Sequence, residues 1–188
     1  MAFKLGNITM VSRFKGYTRI LNKMIKKAVH ENLGEIVQVL EEVKVHMLNK
    51  GIDQWDEEYP NRLILAQDID NCEAFIYEDQ GELLAYMTLN EKYDDEYNDL
   101  DWNTSSPFIV VHRLFVKPAA QGRGISSKMI EYVEQYASIC SYRSIRLDAY
   151  SLNNTANVVY LKKGYARVGE VYFRKGKFYC YEKAIEGS

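Results

Sequence analysis

The stretch Val116-Lys117-Pro118-Ala119-Ala120-Gln121-Gly122-Arg123-Gly124-Ile125-Ser126 decides how the rest of the chain is read. Before it, Phe108–Val116 is a strongly apolar run that reads as a buried strand closed by Pro118. After it, Ile125, Met129, Ile130, Val133 and Ala137 recur at helical spacing. A strand thus runs through a glycine-rich turn straight into a helix. Such a turn aims unpaired backbone N–H groups and the positive helix end at one point, where an anion, above all a phosphate, is the natural occupant. Gly122 and Gly124 let the main chain approach without a Cβ in the way. Arg123 can add a forked, charge-assisted contact, and Ser126 offers a hydroxyl in the first helical turn.

Three readings of this loop compete. A glycine turn can feed a helix with no ligand at all. Gly122-Arg-Gly124-Ile-Ser-Ser127 approaches the dinucleotide fingerprint, with Asp148 near the place of a ribose-binding acid. Ser127 stands where that fingerprint has its third glycine, and the chain offers one clear βαβ unit where a doubly wound sheet needs several. No Walker sequence occurs.

Outward from the loop, the pattern is mixed. Met24–Val29 is a short strand, and Leu33, Ile36, Val37, Leu40, Val43 and Met47 mark a helix stopped by Gly51. Pro60 is expected to open a second helix with Leu63, Ala66 and Ile69 on one face. Glu73–Asp79 and Glu82–Asn90 form a hairpin around Gln80-Gly81. Glu91–Ser106 carries six acids, one lysine and a single aliphatic residue, Leu100, and reads as a long solvated loop of the kind that makes lids. Ile145, Leu147 and Ala149 alternate as a strand, Ala156–Lys163 is a helix ended by Gly164, and Tyr165–Phe173 with Phe178–Ile185 form a last hairpin. The expected class is α/β (α+β), with a largely antiparallel sheet.

Downstream, Asn153-Asn-Thr-Ala156-Asn-Val-Val-Tyr160-Leu-Lys-Lys-Gly164-Tyr165 resembles the N-x-x-A-x-x-L-Y-x-x-x-G-F segment of the GNAT superfamily of N-acetyltransferases. Val159 replaces its leucine and Tyr165 its phenylalanine. Gln121–Ser126 resembles the same family's Q/R-x-x-G-x-G/A loop, with serine for the final small residue. The resemblance spans about Met24 to Ile185. It implies a GNAT-like, mostly antiparallel sheet of about seven strands, flanked by about four helices, with splayed central strands. It also implies acetyl-CoA as cosubstrate. The backbone amides from Gln121 through Gly122, Arg123, Gly124 and Ile125 to Ser126 would hold the pyrophosphate, and the main chain of Leu114, Phe115 and Val116 would pair with the pantetheine arm. Asn153 matches a residue that contacts this arm, though it serves equally as a helix cap. Tyr160 matches the tyrosine that faces the sulfur, and a phenol suits protonation of an alkyl thiolate.

The implied activity is acetyl transfer to a primary amine of a small molecule or peptide. A non-catalytic acyl-CoA sensor is the alternative. No general base stands out: His112, Asp148 and Glu91 are candidates, and His112 also reads as a satisfied core histidine. Gly51–Pro60, with Asp53, Trp55 and Glu58, joins Asp94, Asp95 and Glu96 as a potential anionic mouth for a cationic amine, or as ordinary solvated loops.

Composition bounds these readings. The 188 residues, 47% hydrophobic and 27% charged, suit one folded unit, expected over 24–186. A net charge of −2 argues against a nucleic-acid binder, and no apolar run approaches a membrane span. Cys72, Cys140 and Cys180 are scattered, as are His30, His46 and His112, so no disulfide frame or metal site is expected and a reducing cytoplasm fits. Residues 1–23 begin a basic, acid-free extension in which Phe14, Tyr17, Leu21 and Met24 fall at helical spacing. A homodimer is compatible with all of this.

Overall fold

The computed structural model describes residues 24–185. The basic extension expected over 1–23 and its helical spacing lie outside the described residues. The described residues form seven strands and four α-helices. In chain order they are β1 (Ile25–Lys27), α1 (Leu33–Leu48), α2 (Arg62–Asp70), β2 (Ala74–Asp79), β3 (Glu82–Asn90), β4 (Phe108–Val116), α3 (Ile125–Ile139), β5 (Ser144–Tyr150), α4 (Asn154–Lys162), β6 (Ala166–Phe173) and β7 (Gly176–Ala184). The strands form one sheet in the order β1-β2-β3-β4-β5-β7-β6, antiparallel everywhere except between β4 and β5. This is the mixed, mostly antiparallel class expected.

Helices cover both faces, which explains why β3 is buried without alternation from Leu83 to Leu89. Helix α1 buries Leu33, Ile36, Val39, Leu40, Val43 and Met47 against one side. Val39 takes the core position expected of Val37, which is only half-buried. On the other side α3 buries Ile125, Met129, Ile130, Val133 and Ala137, as its periodicity required.

Two expectations need correction. The second helix does not open at Pro60: Asn61 is its cap, accepting from the Leu63 and Ile64 amides at 3.0 and 3.1 Å. Leu63 is 79% exposed, and the inward face is Leu65, Asp68 and Ile69. A buried aspartate defeated the apolar count. Nor is Glu91–Ser106 merely solvated. It contains a 3-10 turn, Asp95–Asp99, whose Tyr97 is 2% exposed and packs with Trp102, Val110, Tyr150 and Phe178. Asn103 and Thr104 then bind the buried Glu182 carboxylate. Aromatic residues anchored a segment that its acids had marked as water-facing.

Candidate functional site

The parallel pairing of β4 and β5 runs from Phe108↔Ser144 to Val111↔Leu147 and stops. Both strands continue, β4 through His112–Val116 and β5 through Asp148–Tyr150, with no partner on the facing side. The two halves of the sheet therefore diverge, as expected. A bulge drives the divergence. Between Tyr86↔Phe115 and Thr88↔His112, β4 spends two residues, Arg113 and Leu114, against the single Met87. Arg113 has φ +52°, a left-handed conformation uncommon for its type.

A buried network holds that bulge. Arg113 donates from Nε to Asp68 Oδ2 at 2.9 Å and from Nη2 to Oδ1 at 2.6 Å, while Nη1 donates to the Tyr59 hydroxyl at 2.9 Å. Asp68 Oδ2 also accepts from the Tyr86 and Thr88 hydroxyls at 2.8 and 2.9 Å. The forked pairing makes up for desolvating both charges. The sequence reading missed Asp68, and held Tyr59 only as part of the Gly51–Pro60 stretch. Its one available signal was an aspartate in the middle of an amphipathic helix.

Divergence opens a cleft of about 640 Å³ that passes from the glycine turn, along β4, to the loops beyond β5. Leu114, Phe115 and Val116 line it. The Phe115 ring itself turns away, stacking on Tyr86 at 5.1 Å and meeting Trp55 at 5.9 Å, so this residue offers main chain to the cleft edge. Gln121, Gly122, Gly124, Ile125 and Ser126 line the other end. Gly122 and Gly124 have φ +78° and +75°, and a Cβ on either would meet nothing within 4 Å. The glycines are thus required by conformation, and the space beside them is open. Among the described residues, the amides of Gly122, Arg123 and Gly124 donate to no carbonyl. Arg123 stands outside the cleft wall, its guanidinium 3.9 Å from Asp79.

Asn153 and Tyr160 meet the cleft from α4. Asn153 caps that helix, accepting from the Ala156 amide at 3.2 Å, and donates to Gln54 Oε1 at 3.2 Å. Asn157, one turn on, is buried; it donates to the Tyr150 and Asn153 carbonyls and accepts from the Tyr181 hydroxyl. These bonds fix the helix that carries Tyr160. The Tyr160 ring packs beside Tyr165 and Tyr181 and is 7% exposed, and among the described residues its hydroxyl has no hydrogen-bond partner. Burial first, then Asp148 and Tyr181, push the phenol above its ordinary range and keep its proton in place.

Asp148 is the first β5 residue past the last β4 pair, and it lines the cleft. It accepts from the buried Tyr97 hydroxyl at 2.8 Å. Burial and the neighbouring Asp94 push its carboxyl up to about 6, against the Tyr97 bond, which favours the anion. His112 is different. It bonds Asn90 Oδ1 and the Lys92 carbonyl, and burial with Arg113 beside it pulls it down to about 4. Glu91 instead accepts from Tyr142.

The α1–α2 loop is spent on ion pairs. Asp56 meets Arg174 at 2.8 Å and Lys175 at 2.9 Å, and Asp53 meets Lys175 at 2.9 Å. Arg174 and then Lys175 hold the Asp56 carboxyl well below the usual range. Half of the anionic mouth expected from sequence is therefore neutralised by the β6–β7 turn. Asp94 and Glu96 remain on the cleft wall without an ion pair among the described residues.

The model of the acetyltransferase (GNAT) family matches residues 39–165. No curated protein matches the chain significantly in sequence. Among solved structures, a GNAT-family acetyltransferase from Streptococcus agalactiae is 24% identical, covering 87% of this chain and 95% of that one at TM-score 0.79. One from Listeria monocytogenes is 25% identical, with 86% and 94% covered and TM-score 0.68. The PaiA N-acetyltransferase of Thermoplasma acidophilum, solved in complex with coenzyme A, is 17% identical, with 85% and 97% covered and TM-score 0.64.

Proposed function

Since the chain belongs to the GNAT family of acetyltransferases, we propose that it transfers an acetyl group from acetyl-CoA directly to a primary amine of a small molecule or peptide. The observation that carries the reading is convergence. Unpaired β4 main chain, free amides of a glycine turn and an unpartnered buried phenol share one cleft. We read residues 24–186 as the catalytic domain and 1–23 as an extension to it.

The residues fit this cosubstrate. The amides of Gly122, Arg123 and Gly124 make no bond to a carbonyl and stand just before a helix N-terminus, where a diphosphate is favoured, whereas the Gln121 amide is bonded to the Pro118 carbonyl. Along Leu114–Val116, β4 is paired with β3 on one side only, and its other side is open to a pairing ligand. When bound, acetyl-CoA supplies a thioester carbonyl. A β4 amide near Leu114 and Phe115 stabilises the charge that develops on its oxygen. The C–N bond forms as the C–S bond breaks. Asp148 takes the proton the amine must lose, directly or through water, and Tyr160 gives its proton to the departing sulfur. Asp148 suits that task because it is ionised at neutral pH yet more basic than an ordinary aspartate. Placing an acid and a base of such different strength in one cleft favours turnover over passive acyl-CoA binding.

The test is incubation of the purified chain with acetyl-CoA and a library of amines, following free thiol and acetylated products. Amine-dependent thiol release is expected. A chain that shows no calorimetric binding of acetyl-CoA would overturn the reading.

A further inference from the structure

The cleft does not end at Tyr160 and Asp148. Trp55, Tyr59, Phe173 and Phe178 line it as well, together with Asp94 and Glu96. The charges there are unequally committed. Arg113 is held by Asp68 and Tyr59, Arg174 by Asp56 and Glu58, and Lys175 by Asp53 and Asp56. Lys50, in the turn that follows α1, also lines the cleft and has no ion pair among the described residues. Against these, Asp94, Glu96 and Asp148 form no ion pair among the described residues, and Arg113 acts on Asp94 only from a distance. Of the charged groups along the cleft without an ion pair, three are carboxylates and one is Lys50, so the balance is negative.

A second observation marks the same space as one made for a ligand. The Tyr160 hydroxyl, on a side chain only 7% exposed, faces the cleft with no partner. Partial desolvation pushes the Asp94 carboxyl up, and Glu96 adds to this, so a cation placed beside it relieves an existing repulsion. The aromatic walls suit methylene groups and the face of a cation.

One side of this part of the cleft is strapped by surface ion pairs. The ion pairs of Asp53 and Asp56 with Arg174 and Lys175 tie the α1–α2 loop to the β6–β7 turn across it. An extended chain passing between those two loops would have to break them, whereas a short acceptor entering beside Asp94 would not.

We infer that the acceptor is a small diamine, its reacting nitrogen placed between Asp148 and the Tyr160 hydroxyl and its second, charged nitrogen held at Asp94 and Glu96. The inference rests on the proposed acetyl transfer and names the substrate class of that site. Only the inner nitrogen must be uncharged, since it alone forms the new C–N bond and passes a proton to Asp148. The outer ammonium keeps its charge throughout and serves recognition.

The experiment compares putrescine, butylamine and a short peptide with a free N-terminus as acceptors for the full chain, with and without Asp94→Asn. Putrescine is expected to exceed both others in kcat/KM by about tenfold or more, the scale of one well-placed, partly desolvated charge pair. In Asp94→Asn the putrescine-to-butylamine ratio should fall to within about threefold of unity. A wild-type ratio near one, a preferred peptide, or a ratio that survives the substitution would overturn the inference while leaving acetyl transfer intact. The wild-type ratio decides the matter even if the variant misfolds. If acetyl-CoA binds but no acceptor is consumed, the proposed transfer fails. Calorimetry of putrescine on the CoA-loaded chain then still decides recognition: binding lost in Asp94→Asn supports it, and no binding to the wild type refutes it.

Discussion

Two side chains carry opposite halves of the chemistry, and their surroundings separate them. Tyr160 is buried among Tyr165 and Tyr181 with its hydroxyl free, which keeps it protonated and able to donate. Tyr160→Phe removes only that oxygen. It should lower kcat by roughly 10²- to 10⁴-fold, the usual worth of one proton-transfer group, while calorimetric affinity for acetyl-CoA stays within about twofold. Equal loss of both would make the tyrosine a packing residue. Asp148, raised to about 6, should set the acid limb of the kcat/KM profile there. Asp148→Asn should abolish that limb along with most activity. The stability effect has the opposite sign. A carboxyl whose folded value lies above its unfolded one stabilises below about pH 4, and that contribution is lost as pH rises through about 6. Thermal unfolding at pH 8 should therefore find the asparagine variant more stable than the wild type, by on the order of 2 kcal/mol. Tyr160 was legible in the sequence because a motif surrounded it. Asp148 was only one candidate among three there, because what distinguishes it, the Tyr97 bond and the end of strand pairing, is contributed by residues 51 positions and a whole strand away.

At the scale of elements, the working part is a strand with one residue too many. The Arg113–Leu114 bulge turns β4 away from β5, and Asp68 on α2 holds it through four hydrogen bonds. Asp68→Ala would leave a buried guanidinium unpaired, and removal of one partner from such a pair costs about 3–5 kcal/mol. Urea unfolding should show that loss. Asp68→Asn keeps one acceptor and the shape, so it should fold. Its KM for acetyl-CoA should nonetheless rise several-fold, because β4 would lose its set against the arm it pairs with. An unchanged KM would confine Asp68 to stability. Strand and helix types were readable from periodicity because water on one side and core on the other impose it. The bulge was not, since a single extra residue in a continuous apolar run leaves no mark on the pattern. Nor was the inward face of α2, where Asp68 sits at a core position and Leu63 faces water. The glycine turn was readable because its φ values exclude nearly every other residue.

Taken whole, the molecule is two half-sheets joined along four paired positions, Phe108–Val111 with Ser144–Leu147, and strapped again by exposed ion pairs between the α1–α2 loop and the β6–β7 turn. The strap is weak and salt-sensitive, as surface pairs are. A ligand lying in the cleft would hydrogen-bond to β4 while touching α4, and so join the halves where neither strand does. Binding energy of that kind appears as stability of the entire fold. At a concentration about a hundredfold above its Kd, acetyl-CoA should add about 2.7 kcal/mol, which for a chain of this size is a rise in Tm of roughly 5–10 °C. NAD carries a diphosphate but no arm to pair with β4, so it should give a much smaller rise. Gly124→Val, which forces a branched side chain into φ +75°, should remove most of the shift with acetyl-CoA. Amide exchange locates the effect. Protection on binding should appear at residues 112–116 and 122–126 and spare the already paired Phe108–Val111. Equal shifts with the two nucleotides, or protection spread evenly over the sheet, would mean that the diverging strands do not grip the cosubstrate.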